Sequence, residues 1–221
     1  MIIELIPVIE IGYNNQGIPV PDQYPYWDFP ELWDKYNFDS YKKAGFKDEL
    51  KPYSAGSSFY ILAEITDDNL TKLVIDHTQE MLDGKYQREQ ASPLFGGYVL
   101  RIDGEDIYFP QCCGDLSDIH YWEKLANGEN GFYAGHPQPQ VKIEANTIML
   151  DFSVEALDED FIPTPKDSMV SLDILALKKA IIQAKKELKT FELRLEKINR
   201  DNHLTIDEIG ELLIWNDAND Q

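Results

Sequence analysis

The clearest structural signal in the sequence is the segment Tyr98-Val99-Leu100-Arg101-Ile102-Asp103-Gly104-Glu105-Asp106-Ile107-Tyr108-Phe109. Asp-Gly between two runs of β-branched and aromatic residues is a preferred two-residue turn of a β-hairpin. Counting back from this turn gives four cross-strand pairs: Arg101–Asp106, Leu100–Ile107, Val99–Tyr108 and Tyr98–Phe109. The two members of each pair are chemically compatible, which predicts an antiparallel hairpin in this register.

Other segments have the composition of strands. The full set of candidate strands is residues 2–11, 59–65, 98–102, 105–109 and 141–152. The last of these reads as a second hairpin about Ala145-Asn146, with Ile143 opposite Ile148. Because the strands do not alternate regularly with helices, we predict an α+β fold with a mostly antiparallel sheet and helices on one face.

Helical periodicity is clearest near the C-terminus. Ser171 is the expected cap of a helix that runs to about Arg200, about 40 Å long at 1.5 Å per residue. Its apolar stripe consists of Ile174, Leu177, Ile181, Ala184, Leu188, Phe191, Leu195 and Ile198. Thr205-Ile206-Asp207-Glu208 has the pattern of a capping box and predicts a final short helix through Trp215.

Three shorter helices are predicted upstream. The first begins at Pro30-Glu31. The second is capped by Asp67 and Asp68 and runs through Leu82, and the third covers residues 116–126 with Asp115 as its cap.

The charge balance is strongly acidic. The 221 residues include 40 Asp and Glu against 20 Lys and Arg, for a net charge of −20, and 43% are hydrophobic. The hydrophobic content is enough for a folded core, whereas the charge repels phosphate backbones. We therefore expect neither nucleic-acid binding nor binding to an anionic membrane.

The acidity is concentrated before residue 166. Residues 1–165 contain 29 acidic and 11 basic residues, and residues 166–221 contain 11 and 9. Pro163 and Pro165 interrupt regular structure at this change. We predict an acidic α+β domain over 1–165 and a C-terminal helical segment over 166–221, either packed on that domain or used for self-association as a homodimer.

The sequence is typical of a cytoplasmic protein. No run approaches the 18 apolar residues of a membrane span, and the apolar N-terminus lacks the basic residues of a signal peptide. The two cysteines, Cys112 and Cys113, are adjacent and cannot easily adopt ordinary disulfide geometry. A reducing cytosol fits this composition best.

The densest group of reactive side chains is Cys112-Cys113-Gly114-Asp115-Leu116-Ser117-Asp118-Ile119-His120. A neighbouring base activates a thiol, and thiolate, imidazole and carboxylate are also zinc ligands. The simpler interpretation is two buried thiols beside a turn. No Cys-x-x-Cys spacing occurs, so we assign no catalytic residue, no metal ligand and no cofactor. An enzyme with a Cys/His/Asp site near residues 112–120 remains an alternative.

An aromatic segment extends from Tyr24 to Tyr41, where eight of eighteen residues are aromatic. It either covers the sheet as a satellite core or forms a partner-recognition surface, because interfaces favour Trp and Tyr and acids attract a basic partner. The candidate contacts are Trp27, Asp28, Glu31, Trp33 and Asp34. If both tryptophans are buried, recognition falls to acids that we expect to be exposed: Asp115, Asp118, Glu123, Asp158, Glu159 and Asp160.

One stretch resembles known proteins. Residues 94–100, residues 107–116 and Trp122 are similar to a loosely defined group of uncharacterised bacterial proteins, some of which accompany polymorphic toxins and are regarded as immunity proteins. The shared features are a Gly-Gly strand, a hairpin and a Pro-x-Cys-Cys turn, and the similarity covers about an eighth of the chain. It implies an immunity-type role and transfers no functional residue.

Charge, the aromatic segment and this resemblance together predict a non-enzymatic binding protein. The expected partner is a basic protein, such as a toxin domain that this chain neutralises. An oligomeric scaffold built on the C-terminal helix is a further alternative.

Overall fold

The computed structural model describes residues 1–153 and 159–216. The strands are β1 (Ile3–Glu10), β2 (Phe59–Ile61), β3 (Gly96–Ile102), β4 (Glu105–Tyr108), β5 (Gln140–Glu144), β6 (Thr147–Asp151) and β7 (Met169–Asp173). The helices are α1 (Pro30–Ala44), α2 (Asp67–Leu82), α3 (Ile119–Ala126) and α4 (Ile174–Asp201). A π-helical turn covers Glu211–Trp215. Two antiparallel sheets form, with the strand orders β2-β1-β3-β4 and β5-β6-β7, and the predicted α+β class is confirmed.

The β3–β4 hairpin forms at the predicted turn. Arg101 pairs with Asp106 as expected, and the Arg101 guanidinium donates to the Asp106 carboxylate at 2.7 Å. Beyond that pair the predicted register is wrong, because Leu100 lies opposite Tyr108 and not Ile107. A β-bulge between Leu100 and Arg101 causes this shift, since a bulge places one additional residue on one strand. The β5–β6 hairpin has the predicted register, with Ile143 opposite Ile148.

Two helix caps differ from the prediction. The cap of α2 is Thr66, whose hydroxyl accepts from the Asn69 amide, and Asp67 and Asp68 lie in the first helical turn. Ser171 lies within β7, and the Asp173 carboxylate accepts from the Ala176 amide at the start of α4. Residues 169–173 alternate between buried and exposed as a strand, and α4 follows them directly at Ile174. Because no turn residue separates the strand from the helix, the periodicity of the sequence predicted a helix start that is too early. Asp115 caps the turn before α3 as predicted, accepting from the Ser117 amide.

The chain divides into two compact units, Met1–Pro7 with Phe95–Thr190 and Val8–Leu94 with Phe191–Gln221. The boundary predicted after residue 165 lies inside the first of these units, where β7 pairs with β6. The first unit contains residues 3–7 of β1, the strands β3 to β7, α3 and residues 174–190 of α4. Its core includes the fully buried side chains of Ile148, Leu150, Leu172 and Trp122.

The second unit contains residues 8–10 of β1, together with β2, α1, α2 and the chain from residue 191 onwards. Tyr41 lies in its core, donating to the Ile11 carbonyl at 2.6 Å and packing edge-on against Tyr60. Leu70 and Val74 of α2 are also fully buried there.

The apolar stripe of α4 is buried within the chain. Leu177, Ala184, Leu188 and Leu195 have no exposed surface, as expected for a helix that packs in cis. Self-association of this segment stays a prediction. Among the residues that the structure describes, no helix has the length and apolarity needed to cross a membrane.

Candidate functional site

The two cysteines follow β4 at the surface of the first unit. Both side chains are exposed, so the expectation of buried thiols is wrong. The Sγ atoms of Cys112 and Cys113 are 3.6 Å apart, and Cys113 has a positive φ of 65°. This backbone conformation is uncommon outside glycine and asparagine, and here it belongs to the turn that carries both thiols.

His136 reaches the cysteines from a different loop. Its amide donates to the Cys112 carbonyl at 2.9 Å, and the Sγ atoms of Cys112 and Cys113 and a ring nitrogen of His136 all lie within 4.8 Å of one another. Gly135 allows this approach, since a Cβ there would lie 2.7 Å from the Cys112 carbonyl oxygen. The close packing of these two loops therefore requires glycine at position 135.

Glu159 completes this group, which we call the thiol–imidazole cluster: Cys112, Cys113, His136 and Glu159. The Glu159 carboxylate is 2.6 Å from Nδ1 of His136. Gln111 positions the chain that carries Glu159. Its side-chain amide donates to the Ile162 carbonyl at 3.1 Å and accepts from the Ile162 amide at 2.9 Å. A buried side chain with two bonds to the same residue fixes the distance between the two segments.

The cluster has the chemistry of a soft-ligand site. The hydrogen bond from His136 to Glu159 is the main cause that raises the pKa of the imidazole, and a hydrogen bond with the Cys113 side chain raises it further. A carboxylate that orients a histidine is found both behind metal-bound histidines and behind the histidine that activates a nucleophile. The arrangement can therefore either bind a thiophilic metal ion or activate a thiol.

The structure brings a histidine to the thiols that the sequence analysis did not single out. A ring nitrogen of His136 lies within 4.8 Å of both Sγ atoms, and Nδ1 of His120 lies 3.5 Å from the Glu123 carboxylate on the next turn of α3. The sequence did not indicate that His136 meets the cysteines or that it pairs with Glu159. His136 lies 23 residues after Cys113, and Glu159 lies 23 residues after His136, so no local pattern connects them. The only local signal is a Gly-His-Pro sequence in a loop.

Two acids that we expected to be exposed are structural. Asp115 bonds the Ser117 amide at 2.8 Å and the Ser117 hydroxyl at 2.6 Å, and Asp118 accepts from the Asp115 amide at 3.1 Å. Asp118 is only 6% exposed. Its pKa is raised to about 8, mainly by burial and to a smaller extent by the nearby Asp115 carboxylate. Burial also raises the pKa of Asp115. Neither side chain is an exposed contact for a partner, because both hold the turn before α3.

The remaining acids of this set have mixed roles. Glu123 is partly buried and pairs with Lys185 at 2.7 Å, so its charge is already compensated within the chain. Glu159 and Asp160 are both exposed, as predicted, and Glu159 also bonds His136. Asp158 lies outside the described residues.

A second candidate site lies on the second unit and is called here the aromatic–acidic surface: Tyr24, Trp27, Asp28, Glu31 and Trp33. The Tyr24 ring centroid is 6.2 Å from those of both Trp27 and Trp33. Tyr24 is 55% exposed and Trp27 is 37% exposed. Asp28 and Glu31 come shortly after these residues in the chain and are exposed, and within residues 1–153 and 159–216 neither carboxylate forms an ion pair.

Trp33 and Asp34 contribute differently from the prediction. Trp33 is half-buried, and its indole N–H donates to the Gln23 carbonyl at 2.9 Å. The Asp34 carboxylate accepts from the Gly56 amide at 2.8 Å, which anchors a neighbouring loop. Asp34 is therefore a structural residue, and the exposed members of the predicted contact set on this segment are Trp27, Asp28 and Glu31.

No protein-family model, curated protein or solved structure matches this chain.

Proposed function

We propose that this protein is a cytoplasmic, non-enzymatic binding protein whose aromatic–acidic surface recognises a basic protein partner, such as a toxin domain that it neutralises. The observation that carries the proposal is an exposed aromatic group, Tyr24 and Trp27, followed directly in the chain by the exposed carboxylates of Asp28 and Glu31. Tyrosine and tryptophan supply large contact areas at interfaces, and exposed carboxylates select for a cationic partner.

The net charge supports the same partner class. A chain with a charge of −20 attracts cationic proteins over long distances and repels anionic ones. Attraction of this kind raises association rates by about 10- to 1,000-fold and weakens as salt increases. The aromatic rings would then supply short-range affinity, because exposed carboxylates alone contribute little to it.

The experiment first recovers a partner from a lysate of the native host at low salt and then measures its association with the purified protein. The double variant Asp28→Lys/Glu31→Lys should slow association by about tenfold and reduce its dependence on salt. Trp27→Ala should raise the dissociation constant by about 30-fold, as expected for a central aromatic contact.

The matched control is Glu89→Lys/Asp207→Lys, which makes the same charge change at exposed positions outside α1 and the preceding loop. If this control slows association as much as Asp28→Lys/Glu31→Lys does, the attraction is diffuse and the aromatic–acidic surface is not the binding site. Recovery of no basic partner at low salt, or binding that is unaffected by Trp27→Ala, would contradict the proposal.

A further inference from the structure

We propose that the thiol–imidazole cluster is a binding site for a thiophilic divalent metal ion, with Zn²⁺ as the ion that fits it best. Cys112, Cys113 and His136 would be the ligands, and Glu159 would orient the histidine from behind. This inference is independent of the proposed function, since the cluster belongs to the first unit and the aromatic–acidic surface to the second.

The distances suit tetrahedral zinc. Two thiolates bound at about 2.3 Å with a tetrahedral angle between them lie about 3.8 Å apart. The Sγ atoms of Cys112 and Cys113 are 3.6 Å apart, close to that separation. The three candidate ligand atoms lie within 4.8 Å of one another, so shifts of about 1 Å would bring the histidine nitrogen to the distance that zinc requires.

Glu159 provides a second, independent indication of a ligand. Nδ1 of His136 faces the Glu159 carboxylate at 2.6 Å, which leaves Nε2 as the ring nitrogen that can take a metal ion. A carboxylate bonded to the far nitrogen of a histidine is the usual arrangement behind protein-bound zinc, because it fixes the tautomer and the ring orientation. The Gln111–Ile162 bonds hold the segment that carries Glu159 in place.

The ligand count favours a metal site over a nucleophile. A thiol nucleophile needs one cysteine, one base and one orienting group, and the second cysteine would then have no role. A metal ion uses both thiols. Three protein ligands leave a fourth position, and because both cysteines are exposed, that position would be open to water or to a ligand from outside.

The charges of the cluster also suit a divalent cation. Two thiolates and a neutral imidazole balance the charge of Zn²⁺, and the net charge of −20 raises the local concentration of cations around the whole protein. Carboxylate-only ligands would favour Mg²⁺ or Ca²⁺, whereas thiolate and imidazole favour Zn²⁺.

The test uses the full-length protein, reduced and free of oxygen so that the thiols stay available. Zn²⁺ affinity is measured by competition with a chromophoric chelator, and Co²⁺ is used as a spectroscopic probe. We expect one metal ion per chain and, with Co²⁺, an intense near-ultraviolet band from thiolate-to-metal charge transfer.

The variants separate ligands from their support. Cys112→Ser, Cys113→Ser and His136→Ala should each weaken Zn²⁺ binding by more than about 100-fold, and the serine variants should weaken or remove the Co²⁺ band. Glu159→Gln should weaken binding by a smaller amount, about 10- to 100-fold, because the carboxylate acts through the histidine. His120→Ala is the matched control and should leave the affinity unchanged. Circular dichroism and thermal unfolding without metal check that each variant is folded.

Two outcomes would overturn the proposal: the absence of stoichiometric Zn²⁺ and Co²⁺ binding, and metal binding that both serine variants retain. If no metal binds, alkylation by iodoacetamide at neutral pH shows what the cluster does instead. Reaction of Cys113 alone, in a manner that depends on His136, would show that the cluster activates a nucleophile.

Discussion

Gly104 carries the strictest backbone requirement of the β3–β4 turn. Its φ is +88° and that of Asp103 is +49°, the combination expected for the turn that joins twisted antiparallel strands. A Cβ at position 104 would meet nothing within 4 Å, so a substitution there tests backbone conformation alone.

We expect Gly104→Val to lower the free energy of unfolding by about 1–2 kcal/mol, because a β-branched residue is strained at positive φ. Gly104→Asn should restore most of that loss, since asparagine tolerates this conformation. Urea denaturation measures both variants. The control is Gly12→Ala, a glycine with equally open surroundings and no positive φ, which should cost little. Equal stabilities for Gly104→Val and the unaltered protein would show that residue 104 does not need a positive φ in this turn.

Asp118 predicts a pH dependence of stability. Burial raises the pKa of its carboxyl to about 8, from about 3.9 in an unfolded chain. Between these values the unfolded state releases the proton while the folded state keeps it. The stability that this group contributes is therefore fully present below about pH 4 and is lost as the pH rises towards about 8.

The substitution Asp118→Asn should remove this dependence, because an amide keeps the acceptor for the Asp115 amide and does not ionise. Its free energy of unfolding relative to the unaltered protein should rise by more than about 1 kcal/mol between about pH 5 and about pH 8. Chemical denaturation at a series of pH values measures it. Asp160→Asn, at an exposed position, is the control for a general effect of charge. A difference that stays constant with pH would contradict the raised pKa.

At the scale of elements, Arg194 ties α4 to the segment between β2 and α2. Its guanidinium donates to the Leu62 carbonyl at 2.8 Å, to the Ile65 carbonyl at 2.5 Å and to the Asp67 carboxylate at 3.0 Å. Arginine can make all three bonds at once because its planar group carries five donors. The bonds to Arg194 are also the main cause that lowers the pKa of Asp67.

We expect Arg194→Ala to lower the free energy of unfolding by about 1–3 kcal/mol, because two partly buried carbonyls lose their donor. Lys197→Ala on the same helix is the matched control. Lys197 pairs at 3.3 Å with Asp67 and at 3.8 Å with Asp201, all exposed, so its loss should cost less than about 1 kcal/mol. If the two alanine variants have equal stabilities, the carbonyl contacts contribute nothing beyond an exposed ion pair.

At the scale of the whole molecule, the net charge of −20 affects stability. Like charges on a compact chain repel one another, and salt screens this repulsion over distances beyond about 10 Å at 0.1 M. We therefore expect the melting temperature to rise by a few degrees between about 20 mM and about 500 mM NaCl, which corresponds to about 1 kcal/mol. Glu89→Lys/Asp207→Lys should raise the melting temperature at low salt and reduce the salt response. A melting temperature that falls with added NaCl would show that attractive ion pairs outweigh the repulsion.

Local features of the fold were predictable from sequence because each depends on residues close together in the chain. The Asp103-Gly104 turn, the β5–β6 register and the helices near residues 30, 67 and 119 follow from turn chemistry and periodicity. The net charge, and with it the class of partner that we propose, needs no structure at all.

Features that depend on contacts between residues distant in sequence could be seen only in the tertiary structure. The bulge in the β3–β4 hairpin, the pairing of β7 with β6 and the burial of Asp118 each depend on contacts that no local pattern records. The same holds for the thiol–imidazole cluster. Cys112, His136 and Glu159 lie on three separate loops, and loops carry no periodicity from which their positions could be read. They meet because hydrogen bonds from His136 and Gln111 join those loops, and such long-range bonds form only once the chain has folded.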